Sequence, residues 1–398
     1  MGMRIAFVVP PDVPLAITGG EHADGIGTVV SSIMSTLARK GHDVHLFASG
    51  DSKVSHGTTL HSTVPVALRE RPFRPYPNWP FVTDKTRACI ARCTVQRCAA
   101  GHFDIIHAHD AWIIREGGWR LDNLVTTLHT CLYPLTVSTP DRAICLKYPD
   151  APIVTVSRSQ QRALPWRRWF GYVHNGIGVR QFTFRRKPDP DAYAFCIGRM
   201  TPTKGVSVAI KTVLALAQRG YILKLKIAGG VSLGSQEYFD TMVKPFLEEY
   251  PDLIEYVGEV GHAQKNRLYG GARFTICPLG VEAGGTEWFE PFGNVLVESL
   301  SCGTPVIVGN KASGPEIVRN GVTGRVVDPS GNEAMLVSRF ADAAEDVLRS
   351  PEMRIMARSD AERRFTVERM VSEYESVYEQ ILERTFERMP VMEQLSAR

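Results

Sequence analysis

The sequence has no long apolar run, no cysteine pattern and no strong charge of either sign. No apolar stretch in its 398 residues approaches the roughly 18 residues that span a bilayer, and prolines interrupt MGMRIAFVVPPD too early for a signal peptide. The formal net charge is +4, so the composition does not demand a nucleic acid or an acidic surface as partner. We therefore expect a cytoplasmic protein that does not bind nucleic acid.

Cysteine and paired aspartate also give no sign of a metal site. The eight cysteines form no repeated C-x-x-C pairs, and several lie in apolar runs such as ARFTICPL, where cysteine behaves as a small hydrophobe. Cys89 and Cys93 are one helical turn apart, but no histidine or further cysteine near them completes a ligand set. The one D-x-D string, Asp189-Pro-Asp191, predicts a solvated turn. We expect free thiols, buried or half-buried, and no bound metal or cofactor.

What the sequence does contain is a double series of short β-branched runs that alternate with helical stretches. The first series includes RIAFVV, DVHLFA, FDIIHAHD, NLVTTLHT, PIVTVS and GYVHNGI, and the second includes AFCIGRM, LKIAGG, IEYVGE, RFTICPL, PVIVG and GRVVD. This alternation is typical of parallel sheets covered by helices, the α/β class. We predict two doubly wound, Rossmann-like domains in tandem, with the ligand in the cleft between them at the carboxyl ends of the strands.

A change of composition marks the boundary between the two series. The segment before Ala192 is basic, is interrupted by prolines and has no apolar period, which is typical of an interdomain linker. We predict an N-terminal domain over residues 1–180, a linker over 181–192 and a C-terminal domain over 193–364. Apolar residues at helical spacing then predict an amphipathic helix over 365–388 that packs across both domains.

The segment EWFEPFGNVLVES, residues 287–299, carries the strongest candidate site residues. Pro291 favours the first turn of a helix, and Gly293 lets the backbone approach a ligand closely. A helix from about Asn294 to Cys302 would lean Glu298 back toward the opening that Glu290 flanks, so that both carboxylates face one ligand. The amino end of this helix suits a phosphate, and the carboxylates suit sugar hydroxyls.

A second segment supplies the matching positive charge. In CIGRMTPTKG, residues 196–205, Arg199 follows a strand and Lys204 precedes a helix. Two such cations can neutralise a diphosphate leaving group, so a metal ion would not be needed.

These motifs together resemble the retaining glycosyltransferases of family four, which have the GT-B fold. The resemblance rests on the E-x7-E spacing with its internal PFG, on the preceding GR…K, and on SCGTPVIVGNKASGPEIVRNGVTGRVV after it. FDIIHAHD, TLHT, VTVSRSQ and VHNGI match the family's first-domain landmarks in the right order. The resemblance covers nearly the whole chain and implies two Rossmann-like domains that face each other across a cleft, with a C-terminal helix that crosses back.

The resemblance also implies roles for individual residues. Glu298 would hold the ribose of a nucleotide sugar, Glu290 the donor sugar, and Arg199 with Lys204 the diphosphate. His109, at the end of FDIIHAHD, would touch the donor sugar or the acceptor. The remaining donor contacts would come largely from backbone, at Gly19, Gly20, Val260, Phe292, Gly293 and Asn294.

Several features lie outside this pattern. Glu282 and Glu287, in the glycine-rich loop GVEAGGTEWFE, have no assigned role, and Gly178 stands where many relatives have aspartate. His107 points to the same face as His109, so one of the two can be a core histidine, and His129 suits packing and acceptor contact equally. The run WRRWF, residues 166–170, suits an exposed helix end, an acceptor site or a peripheral membrane contact.

Two alternative functions remain open at this stage. Gly25-Ile-Gly27 and Asp51 resemble part of a dinucleotide-binding fingerprint, although Val30 occupies the place of the third glycine. An NAD(P)-dependent oxidoreductase is therefore one alternative, and a nucleotide-sugar epimerase or binding protein of GT-B fold is another. We favour a metal-independent, retaining glycosyltransferase that moves a sugar from a nucleoside diphosphate, UDP preferred, to a hydroxyl of a small molecule, glycan or lipid.

Overall fold

Two parallel β-sheets follow each other along the chain. The structure is a computed structural model, and it describes residues 2–12, 14–15, 25–68, 79–132, 139–191, 193–231, 233–282 and 289–388. Within these ranges the first sheet has seven strands and the second has six. Most strand residues are buried, as expected for parallel sheets that are covered on both faces.

The first sheet has the strand order β3-β2-β1-β4-β5-β6-β7, and its pairings are parallel. Its strands are β1 (Arg4–Val8), β2 (Asp43–Ser49), β3 (Thr58–Val64), β4 (Ile105–Ala108), β5 (Leu124–Leu128), β6 (Ile153–Thr155) and β7 (Gly171–Tyr172). Its helices are α1 (Gly25–Arg39), α2 (Trp79–Ala100), α3 (Trp112–Arg115), α4 (Pro140–Lys147) and α5 (Arg158–Gln161).

The second sheet has the strand order β10-β9-β8-β11-β12-β13 and is also parallel. Its strands are β8 (Tyr193–Ile197), β9 (Lys224–Ala228), β10 (Ile254–Gly258), β11 (Phe274–Cys277), β12 (Val306–Gly309) and β13 (Gly324–Val327). The helices that follow β8 are α6 (Val206–Gln218), α7 (Gln236–Tyr238), α8 (Lys244–Glu249), α9 (His262–Gly271), α10 (Asn294–Ser301), α11 (Gly314–Ile317), α12 (Glu333–Leu348), α13 (Met353–Arg364) and α14 (Val367–Arg388).

Each sheet has a switch point beside its first strand. β1 lies between β2 and β4, and β8 lies between β9 and β11, so the chain leaves these neighbouring strands in opposite directions. A crevice opens at such a point, at the carboxyl ends of the strands. His109 directly follows β4 and Arg199 follows β8, so both stand at these crevices.

The last helix returns the chain to the first domain. Tyr374, Tyr378 and Ile381 of α14 are fully buried in the same core cluster as β1 and β2. The Tyr378 hydroxyl lies 2.8 Å from Nδ1 of His107, which fixes this histidine as a core residue. The preceding α13 packs instead in a core cluster of the second domain. The chain therefore crosses between the domains near Phe365, where the sequence predicts the start of the helix.

Polar contacts tie the predicted linker to the second domain. The N–H of Arg185 donates to the carbonyl of Cys302 at 3.1 Å, and the N–H of Asp189 donates to that of Gly271 at 2.9 Å. The Asp189 carboxylate pairs with the Arg185 guanidinium at 2.5 Å. Residues 181–191 are therefore held along the second domain, and the first aspartate of the D-x-D string, Asp189, is paired with Arg185.

The thiols are free, but the prediction that all are buried or half-buried is wrong for two of them. Cys89 and Cys93 are exposed on α2, and the other six cysteines are buried. No helix in the part of the chain that the structure describes is both long and apolar enough to cross a bilayer.

Candidate active site

A cavity of about 740 Å³ lies between the two crevices and takes its walls from both domains. We call it the central cavity. The first domain contributes the start of α1, the segment after β5 and the amino end of α4, and the second contributes the segments after β8 and before α10. A ligand in the central cavity would therefore touch both switch points.

The two predicted cations both line the central cavity. Lys204 ends a single 3₁₀ turn, Pro202–Lys204, and forms an ion pair with Glu290 in which each side chain is 15% exposed. The turn closes at Gly205, which has φ of 69°, and a Cβ there would lie 2.2 Å from the carbonyl oxygen of Pro278. Only glycine fits this close approach, which holds Lys204 against the loop that carries Glu290.

Hydroxyl groups from both domains fix the loop before α10. Ser313 Oγ lies 3.1 Å from the carbonyl oxygen of Glu290 and 2.6 Å from that of Phe292. Ser157 Oγ, from the first domain, donates to the carbonyl of Pro291 at 2.6 Å. The Phe292 side chain is buried, so this residue anchors the loop through its ring and leaves only its backbone for a ligand.

The amino end of α10 is built for close contact. Gly293 caps the helix with φ of 88°, and the first N–H groups of any helix have no intrahelical acceptor and carry the positive end of its dipole. Asn294 bridges the domains, because its Nδ2 lies 3.4 Å from the carbonyl oxygen of Gly25 and its Oδ1 accepts from Asn175 Nδ2 at 3.1 Å. The Oδ1 of Asn175 is buried and has no partner among the described residues.

That both carboxylates face one ligand stays a prediction, and of the two only Glu290 lines the central cavity. Glu298 does not line it; its Oε1 accepts from Lys265 Nζ at 2.7 Å and its Oε2 from Tyr269 Oη at 2.9 Å. The reason is that Glu298 lies one turn further along α10, against α9. Val260 lies just before α9 and packs, partly buried, on the same core.

Three histidines stand in a row behind the site. His109 Nδ1 lies 2.8 Å from His129 Nε2, and His107 lies deeper, between Tyr378 and Thr127. Burial lowers the pKa of His129 to about 4 and that of His109 well below its ordinary value, so both are neutral near pH 7. The predicted site residue His109 is thus brought to the cleft, and His129 joins it.

A smaller cavity of about 290 Å³ adjoins the central cavity on the side of the first domain. We call it the acid-lined cavity, because Asp12, Asp110 and Asp141 lie in its wall, together with one arginine of the described residues, Arg87. Arg87 pairs with Asp12. None of these four residues was predicted from the sequence. Their only sequence signal is the position of Asp110 immediately after His109.

Some residues named in the sequence analysis lie outside the described residues or in the protein interior. Gly19, Gly20 and Glu287 lie outside the described residues. Glu282 is buried and accepts a hydrogen bond from Tyr238 Oη at 2.7 Å, and burial raises its pKa. Its carboxylate therefore pins the base of the loop after β11 to the segment after β9.

The run WRRWF is only partly exposed. The Arg167 guanidinium is buried and donates to the carbonyls of Ala151 at 2.8 Å and Tyr148 at 3.2 Å, with Trp169 4.7 Å away beneath it. Trp166 and Arg168 remain exposed. Phe170 is partly buried against the core of the first domain. Three of the five side chains therefore pack in the fold, and the run does not form one continuous patch.

Asp51, which would bind the ribose in an NAD(P)-dependent oxidoreductase, has a structural contact instead. Both carboxylate oxygens of Asp51 lie within hydrogen-bond distance of the Ala67 N–H, at 3.2 and 3.3 Å. Asp51 therefore closes a loop of the first domain. Gly25 and Gly27 lie in the first turn of α1, where the backbone is helical.

Two family profiles match the chain and together cover residues 23–364. "Glycosyltransferase Family 4" matches residues 23–179, and "Glycosyl transferases group 1" matches residues 180–364. A curated relative, D-inositol 3-phosphate glycosyltransferase of Mycobacterium tuberculosis (strain ATCC 25618 / H37Rv), is 25% identical over 409 residues, which cover 90% of this chain and 78% of the relative.

Solved structures share the fold. Sucrose-phosphate synthase from Thermosynechococcus elongatus is 20% identical, with a TM-score of 0.72 over 96% of this chain and 99% of the other. Anabaena Alr3699/HepE in complex with UDP and glucose is 17% identical, with a TM-score of 0.69 over 95% and 100%. The predicted architecture of two Rossmann-like domains is confirmed.

Proposed function

We propose that this chain, which is a glycosyltransferase of the family-four type, takes its sugar from a nucleoside diphosphate and transfers it with retention and without a metal ion. The observation that carries the proposal is the convergence of Arg199, Lys204 and the amino end of α10 on the central cavity. These groups supply positive charge where a diphosphate would bind. UDP is the preferred nucleotide, because Alr3699/HepE was solved with UDP and with UDP-glucose.

The chemistry then needs only positioning and charge stabilisation. The bond between the anomeric carbon and the diphosphate oxygen breaks, and a bond from that carbon to the acceptor oxygen forms. The acceptor proton goes to an oxygen of the departing diphosphate. Arg199 and Lys204 would stabilise the negative charge that builds on the diphosphate, and the closed cleft would exclude water.

The two glutamates would divide the donor between them. Glu290, beside Lys204, would accept hydrogen bonds from sugar hydroxyls. Glu298 would accept those of the ribose, and its carboxylate is held ready by Lys265 and Tyr269 before any ligand arrives. A carboxylate fixed in this way loses little conformational freedom on binding, which favours affinity.

Two measurements test the proposal. A thermal-shift panel of UDP, GDP, ADP, NAD and NADP in EDTA should show a shift with one nucleoside diphosphate, because a ligand at about 100 times its Kd stabilises by about 2.7 kcal/mol. A shift with NAD or NADP alone would overturn the donor assignment. NMR of the transferred sugar should show the anomeric configuration of the donor. An inverted product would overturn retention, and an epimerised donor without transfer would overturn the transferase assignment.

A further inference from the structure

The acid-lined cavity opens where an acceptor would meet the donor sugar. The two cavities adjoin each other, because their walls share residues, among them Arg87, Trp112, His129 and Asp141. Arg199 and Lys204 line the central cavity from the second domain, and the residues that line the acid-lined cavity belong to the first. A volume of about 290 Å³ is at the lower end of ligand pockets and suits one ring of sugar size.

The charges of the acid-lined cavity do not cancel among the described residues. The pair of Arg87 and Asp12 is neutral. Asp110 accepts the Trp112 N–H at 3.0 Å through Oδ1, and Asp141 accepts the Thr130 hydroxyl. Neither carboxylate forms an ion pair in the part of the chain that the structure describes, and for each of them the neutral hydrogen bond named above is the side-chain contact that the structure gives. Among the described residues, the wall therefore carries three carboxylates and one guanidinium, and that guanidinium is paired with Asp12.

The carboxylates also feel one another. The pKa of Asp110 is raised to about 7, mainly by burial and in smaller part by the charges of Asp141 and Asp12, while the Trp112 N–H and the charge of Arg87 act in the opposite direction. The neighbouring histidines bring no compensating charge, because they are neutral near pH 7. An uncompensated buried carboxylate is costly, and a bound cation would remove that cost.

A second, independent feature is an unpartnered polar atom on His109, which lines the acid-lined cavity. Nε2 of His109 is buried and has no partner in the part of the chain that the structure describes, and the ring is only 5% exposed. His109 is bonded through Nδ1 to Nε2 of His129. In either neutral tautomer of this pair, one outer nitrogen is a donor and the other is an acceptor. A ligand hydroxyl can donate to Nε2 of His109 or accept from it, whichever tautomer is present.

We propose that the acid-lined cavity binds the acceptor through a protonated amine, so that the acceptor is a small polyhydroxylated molecule with an ammonium group, such as an amino sugar or an aminocyclitol. Asp110 and Asp141 hold the ammonium, and the histidine pair holds a hydroxyl. This inference rests on the proposed function, because it assigns the acceptor of the same transfer. It excludes a phosphorylated acceptor in this cavity, since two unpaired carboxylates repel a phosphate.

The test uses the full chain saturated with UDP and probes that differ in charge. Glucosamine and 6-amino-6-deoxyglucose carry an amine, glucose is neutral, and glucose 6-phosphate is an anion. Calorimetry at pH 7 should find binding of at least one amine probe, weaker binding of glucose and none of glucose 6-phosphate. Asp141→Asn and Asp110→Asn should each weaken the amine probe by about 10- to 100-fold, the worth of a hydrogen bond to a charged group.

Glucose affinity should stay the same in both variants, a selectivity that a folding defect would not produce. Asp252→Asn, at an exposed site of the second domain, is the matched control and should change neither ligand. Amine probes that bind no better than glucose, or aspartate variants that keep the amine preference, would overturn the inference. UDP binding is measured first in every protein, so loss of the donor site is recognised separately from a wrong acceptor.

Discussion

The ion pair between Lys204 and Glu290 gives the sharpest prediction about catalysis. Each side chain is only 15% exposed, so Lys204→Met leaves a largely buried carboxylate without its partner, and Glu290→Gln removes that charge. If Lys204 stabilises the leaving diphosphate, its loss should lower kcat by about 10²- to 10³-fold, the usual effect of removing one group that stabilises transition-state charge. The expected loss in folding stability is about 1–3 kcal/mol, the cost of an unsatisfied buried group.

The double variant separates the two effects. Lys204→Met with Glu290→Gln should recover most of the lost stability, because no unpaired carboxylate remains, while kcat stays low. Stability is measured by urea unfolding and kcat by release of the nucleoside diphosphate. The matched control is Lys211→Met, which breaks a more exposed pair with Glu333 at 2.7 Å in the same domain. If Lys204→Met and Lys211→Met have the same kcat, Lys204 does not stabilise the leaving group.

Three further predictions concern the donor site, the backbone and the acid-lined cavity. Glu298→Gln should weaken UDP binding by about 10- to 100-fold with little change in kcat, since a charged hydrogen-bond acceptor is lost. Calorimetry measures the affinity for UDP, and an unchanged affinity would refute the role of Glu298 in binding the ribose. Gly205→Ala should destabilise the fold by about 1–3 kcal/mol in urea unfolding, and by more than the control Gly220→Ala. The reason is that a Cβ at Gly205 would lie 2.2 Å from the carbonyl oxygen of Pro278, whereas nothing lies within 4 Å of a Cβ at Gly220. Equal losses of stability in the two variants would refute the close approach. The pKa of Asp110 is raised from 3.8 to about 7 in the folded state, so folding favours the protonated carboxyl. The stability of the protein therefore falls as the pH rises from about 4 to about 7, where the folded protein must release this proton. Asp110→Asn should therefore gain stability relative to the parent over that range, and a constant difference between the two urea-unfolding curves would contradict this.

The sequence was sufficient for the residues that lie at strand ends. Arg199 and His109 each follow a strand next to a switch point, and parallel strands bring such positions to one edge of the sheet. The E-x7-E segment located Glu290 in the cleft for a related reason, because the loop before a helix in an α/β domain lies on that same edge.

The residues that the sequence missed depend on packing between distant segments. Lys265 meets Glu298 only because α9 packs against α10, and its i,i+4 spacing with Tyr269 says nothing about that partner. Arg87 and Asp12 are 75 positions apart. The interpretation of WRRWF as a possible binding patch was weakened for a local reason, since backbone carbonyls of Tyr148 and Ala151 draw the Arg167 guanidinium inward.

The most direct test of the central claim is calorimetry of UDP binding in EDTA, with the parent chain and Arg199→Met. We expect one UDP site in the parent without added metal, and a clear loss of affinity in Arg199→Met, because this cation lines the central cavity, where we propose that the diphosphate binds. Unchanged UDP affinity in the variant, or UDP binding that requires a divalent metal, would contradict the proposed donor site.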